Sequence, residues 1–90
     1  MATHAEALNT QDIYEGTRNL DILRAIVERH QHSRIRIAGK TTPVDAQTAN
    51  LLLTCYEALN PETKMKFVAM LAHSQATFAK TVAFCWKHVA

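Results

Sequence analysis

Glycine, proline and cysteine are scarce, two of each among 90 residues. An all-β or loop-rich fold draws on glycine and proline for its turns, so their scarcity argues against one. Two cysteines are too few for a disulfide framework. Cys55 and Cys85 both sit in apolar helical patterns and read as buried thiols in a reducing compartment. Unbroken apolar runs are short, as at 82–86, and none is long enough to span a bilayer. The first residues lack the basic start and apolar stretch of a secretory signal, so the expected location is the cytoplasm. Charge of one sign is also lacking. Ten Lys and Arg face eight Asp and Glu, a balance that argues against nucleic acid as the main partner.

What is there is an ordinary globular composition, 48% hydrophobic and 20% charged, which excludes disorder. The length suits one small domain, 1–90, with 1–9 expected to be a frayed arm. A domain of this size does not readily wall off a deep active-site cavity.

The pattern along the chain predicts a mainly α fold: a long N-terminal helix, a β-hairpin, then three helices. Ile13, Leu20, Leu23, Ile26 and Val27 recur at helical spacing and predict a helix over 11–30, with Ile22 beside the stripe. Gly16 weakens that helix unless another backbone must come close there. Arg34, Ile35, Arg36 and Ile37 alternate strictly, as a half-buried strand does. Gly39 supplies a turn, and 41–44 returns as a short or edge strand because Pro43 cannot donate to a ladder. A lone hairpin is marginal in water. It must therefore pack on the helices through Ile35 and Ile37, or pair with the hairpin of a second chain in a homodimer.

Asp45 is a good N-cap for a helix over 46–59, with Val44 stapled to Ala49. Its stripe is Ala49, Leu52, Leu53, Tyr56 and Leu59. Asn60 and Pro61 end it and start the next helix, 61–73, with Met65, Val68, Leu71 and Ala72 inward. Ser74 caps a last helix over 75–88. Its stripe is Phe78, Val82, Cys85, Trp86 and Val89.

No catalytic constellation emerges. Gly16 and Gly39 stand alone, so there is no glycine-rich phosphate loop. Ser33 and Ser74 lack a nucleophile-elbow context. His30, His32, Cys85 and His88 could supply four metal ligands, but their spacing matches no ordinary zinc site. The reading is of a non-enzyme that needs no cofactor and no metal. A basic cluster at 29–40 holds Arg29, Arg34, Arg36 and Lys40 with His30 and His32, and no acid interrupts it. It supports an alternative reading as a small nucleic-acid-binding protein. Its bland counterpart is a solvated strand face guarding a hairpin edge.

The apolar surplus says more. Ile22, Phe67, Met70, Phe84 and Trp86 do not all fit the inward stripes. Residues two apart on a helix lie about 200° around its axis, so Phe84 and Trp86 cannot share a direction. Trp86 continues the inward stripe, which assigns Phe84 outward, and Phe67 likewise lies off the stripe of its helix. Ile35, Ile37, Phe67, Met70 and Phe84 are accordingly the expected partner-binding or dimer-interface residues.

The run Pro43-Val44-Asp45-Ala46-Gln47-Thr48-Ala49-Asn50-Leu51-Leu52, then Tyr56-Glu57-Ala58-Leu59-Asn60-Pro61, carries a resemblance. So do Lys66-Phe67-Val68-Ala69-Met70-Leu71, Phe78, Phe84, Trp86 and Lys87. Over roughly 34–89 the chain resembles the small QslA-like antiactivators of LuxR-type quorum-sensing regulators. The resemblance implies a cytoplasmic homodimer. It also implies binding to the ligand-binding domain of a LuxR-type transcription activator, which blocks that activator's dimerisation and hence its DNA binding.

Overall fold

A computed structural model describes residues 10–89. The expected arm at 1–9, and the side chain of Val89 on the last stripe, lie outside the described residues. The element order is α1 (Thr10–Arg29), β1 (Ser33–Ile37), β2 (Lys40–Val44), α2 (Ala46–Glu57), α3 (Pro61–Met70) and α4 (Gln75–Val89). This is the predicted architecture of a long helix, a hairpin and three helices.

Helix α1 runs through the middle, packing on α2, α3 and β1. It buries Leu20, Leu23 and Ile26 as its periodicity requires, and two residues of another kind, Gly16 and Asn19. Gly16 marks a close helix crossing. A Cβ there would fall 1.9 Å from the carbonyl oxygen of Val68 on α3. The glycine that weakens α1 locally is what lets α3 lie against it. His30 closes α1 with φ 55°, and Gln31 N–H then reaches back to the Ile26 carbonyl at 3.2 Å, the bond of a Schellman cap.

In the antiparallel hairpin Arg34 faces Pro43, Ile35 faces Thr42 and Ile37 faces Lys40. The two-residue loop is Ala38-Gly39, both at positive φ (50° and 82°), as a type I′ turn requires. Ile35 and Ile37 are fully buried within the chain itself and Arg34 and Arg36 are exposed. The hairpin packs on the chain's own helices through Ile35 and Ile37. This corrects the assignment of Ile35 and Ile37 to an open interface.

A side chain missed in the sequence pins the hairpin. Asn19 Nδ2 donates to the Arg36 carbonyl (2.8 Å) and to the Leu71 carbonyl (3.1 Å), and its Oδ1 accepts from Arg36 N–H (3.0 Å). Ala38 N–H also donates to the Ala72 carbonyl, 3.0 Å away. The outward N–H and carbonyl of Arg36 are thereby paired inside the chain.

The three helix starts are built as predicted. Asp45 Oδ1 accepts from Thr48 N–H (2.7 Å), Asn60 Oδ1 from Thr63 N–H (2.8 Å) and Ser74 Oγ from Thr77 N–H (3.0 Å). The Thr48 hydrogen bonds hold the Asp45 carboxyl below the usual carboxylate range. The ends of α2 and α3 fall earlier than predicted. Pro61 forces Asn60 out of the helical region, so α2 stops at Glu57 with Ala58 as its cap. A turn over 71–74 then carries the chain from α3 into α4.

Candidate protein-docking groove

Helix α4 packs chiefly on α2 and only lightly on α3. The face it turns to α2 carries Phe78, Thr81 and Cys85, all buried. Thr81 is tolerated there because its hydroxyl donates to the Thr77 carbonyl within the same helix (2.8 Å). The loose contact with α3 leaves an apolar groove of about 230 Å³, lined by Leu59, Thr63, Lys66, Phe67, Met70, Thr81 and Phe84.

On α3, Thr63, Lys66, Phe67 and Met70 come from one side of the helix by their spacing of three and four. On α4, Thr81 and Phe84 answer them. Phe67 forms the floor at 4% exposure and packs its ring on Tyr56, centroids 6.0 Å apart. Met70 is half-buried. Phe84 stands on the rim at 49% exposure and leans on the His88 ring, centroids 4.3 Å apart.

Three of the five residues assigned to an interface, Phe67, Met70 and Phe84, therefore meet at one groove. Ile35 and Ile37 do not join them and lie in the core. Phe67 needs correction as well. It was assigned to the outer face and is buried, whereas Met65 from the expected inward stripe is 57% exposed. Trp86, expected in the core, is 42% exposed. The apolar residues of α3 are spread around the helix between Glu62, Thr63, Lys64 and Lys66, so which side turns inward is decided by where α1 and α4 pack.

The two thiols lie where α2 and α4 meet. Cys55 and Cys85 are both buried and free. Burial pushes the Cys85 thiol up to about 12, and its contact with Cys55 adds to the shift. Neither is poised as a nucleophile. His30 and His32 are exposed near the end of α1, whereas Cys85 is buried in α4 and His88 lies against Phe84. Among the described residues no three His, Cys, Asp or Glu side chains gather into a metal-binding group, and no helix is long and apolar enough to cross a membrane. Arg34 and Arg36 are exposed and form no ion pair among the described residues.

A second depression, about 320 Å³ between α1 and α3, is lined by Ile13, Thr17, Tyr56, Pro61, Lys64, Met65 and Val68. The Tyr56 ring there lies 5.1 Å from the Lys64 ammonium, and both Lys64 and Arg24 approach Glu57. That wall mixes polar and apolar groups, which leaves the α3/α4 groove as the more apolar surface. Comparisons with protein-family profiles, curated proteins and solved structures return no match for this chain.

Proposed function

We propose that this chain is a small cytoplasmic protein-binding module that sequesters a LuxR-type transcription activator. It acts as an antiactivator: it occupies the activator's ligand-binding domain and blocks its dimerisation and DNA binding. The reading involves no catalysis and no cofactor. The observation that carries it is the apolar α3/α4 groove with Phe84 half-exposed on its rim. An aromatic at the edge of an apolar trough is the usual anchor of a protein interface. The identity of the regulator rests on the resemblance over 34–89.

Titration of the chain against the ligand-binding domain of a LuxR-type activator tests this, with the activator's DNA binding followed by gel shift. Phe84→Ala should weaken association by about 2 kcal/mol or more, as expected of a hot spot, and restore DNA binding. A chain that leaves the activator dimeric and DNA-bound at saturating concentration overturns the reading.

Arg34 and Arg36, exposed and without an ion pair among the described residues, favour a second reading, nucleic-acid binding by the 29–40 cluster. Binding of that kind falls steeply with salt, whereas binding in an apolar groove does not.

A further inference from the structure

The apolar floor of the α3/α4 groove is bordered by cations and almost no acid. Lys66 lines it directly. Lys80 and Lys87 stand four residues before and three after Phe84, spacings that bring all three to one side of α4. All three lysines are exposed. None is in an ion pair among the described residues, whereas Lys64, on the far side of α3, is held by Glu57. Over 61–89 the only acid is Glu62, against four lysines. The trough lies between two helices, the setting in which an amphipathic helix seats its apolar side chains at intervals of three and four.

Resting on the reading of this groove as the regulator-binding surface, we propose that it takes an amphipathic helix of the partner with acidic flanks. Its apolar anchors would meet Phe67, Met70 and Phe84. Its Asp or Glu residues would face Lys66, Lys80 and Lys87, whose charges set the partner's orientation and exclude basic helices. A second copy of this chain is the poorer occupant. On α1 the exposed acids Asp21 and Glu28 interleave with exposed Arg18, Arg24 and Arg29. Glu57 is the only acid on α2, and α4 has none. No described helix of the chain is therefore both apolar and acidic on its exposed side.

The test uses two labelled peptides of about five helical turns, each with leucine at the same amphipathic positions. One carries glutamate along both flanks and the other lysine. Fluorescence anisotropy is read against the full chain, against the triple variant Lys66→Glu/Lys80→Glu/Lys87→Glu, and against Phe84→Ala, with circular dichroism confirming each fold. The glutamate peptide should bind about tenfold more tightly than the lysine peptide, the effect of three exposed ion pairs acting together. The triple variant should invert that preference, and Phe84→Ala should weaken both peptides.

Equal affinities, a preference unchanged in the triple variant, or no binding of either peptide overturns the proposal. So does a dimer that Phe84→Ala dissociates and that excludes the peptides, because a second copy would then own the groove. The activator's ligand-binding domain, titrated against the same variants, separates the two readings. Binding abolished by Phe84→Ala but untouched by charge reversal sinks the acidic helix and leaves the regulator. Charge-selective peptide binding without regulator binding does the opposite.

Discussion

Gly16 and three aromatic side chains show how single positions divide their labour between packing and recognition. At Gly16 two effects oppose each other. Alanine would raise the helix propensity of α1 by about 1 kcal/mol. It would also drive a methyl group to 1.9 Å from a backbone carbonyl that cannot swing aside. The clash dominates, because separating α1 from α3 disturbs packing along their whole contact. Gly16→Ala should therefore lose about 2 kcal/mol net, read as a lowered urea midpoint, and an unchanged midpoint would show that the crossing yields. The aromatics sort by exposure. Phe67 is 4% exposed, so Phe67→Ala removes a core ring and should cost about 3 kcal/mol or more. Trp86 is 42% exposed, so Trp86→Ala should cost about 1 kcal/mol or less. This reverses what helical spacing alone assigns to these two side chains, and thermal melts of both variants decide it. If Trp86→Ala proves the more damaging, α4 is rotated about its axis relative to the face described.

Within the elements, the hairpin turn is the place where local chemistry is least matched to geometry. Ala38 adopts φ 50° although it carries a Cβ, a conformation disfavoured by roughly 1–2 kcal/mol. Gly39 beside it meets no such penalty. Asparagine tolerates the left-handed region, and Asn-Gly is the favoured pair for this turn. Ala38→Asn keeps the backbone bond to Ala72 and should raise stability by about 0.5 kcal/mol or more, seen as a higher melting temperature. A loss would mean that the turn is not type I′ in solution. What could be read along the chain follows from how local each signal is. Alternation at Arg34-Ile35-Arg36-Ile37, and the caps at Asp45, Asn60 and Ser74, depend on a few adjacent residues and came through intact. The facing of α3 did not. Met65, Phe67, Val68 and Met70 point to different sides of the helix and alternate with Thr63, Lys64 and Lys66, so no single polar side orients it and only the positions of α1 and α4 decide. Thr81 is polar and off the stripe read for its helix, yet its hydroxyl is satisfied by its own helix and it is buried. Of the groove, the aromatic rim was visible in the sequence. The contributions of Leu59 and Thr81 arise from packing between elements and carry no local signal.

For the molecule as a whole, Asn19 and the two thiols connect its weakest and strongest parts. Asn19 ties α1 to β1 and to the carbonyl of Leu71 at the end of α3. Asn19→Leu fills the space but leaves Arg36 N–H and two carbonyls without their partner. Each such group costs about 1–3 kcal/mol when buried, so the variant should lose about 3 kcal/mol or more. Because the bonds link three elements, the loss should be global and not confined to the hairpin. Cys55 and Cys85 can report which it is. Both are buried where α2 and α4 pack, outside the hairpin. The Cys85 thiol is held up at about 12 by burial and the neighbouring Cys55. Its native thiolate is therefore negligible at pH 8, and reaction with a thiol reagent requires the helices to part. The sign of the pH effect follows from the raised value. The folded state keeps its proton where the unfolded thiol, near 8.5, loses it. That contribution to stability is complete below about pH 8 and declines as the pH rises toward 12. When closing outpaces labelling, the rate tracks the population of open molecules. Asn19→Leu should then accelerate labelling of both thiols by the factor its stability loss dictates, about tenfold for each 1.4 kcal/mol. If instead Cys85 labels quickly in the unaltered chain and ignores the substitution, α4 opens alone. The floor of the groove would then be a transient surface, and binding of a partner there would have to be coupled to closure of α4.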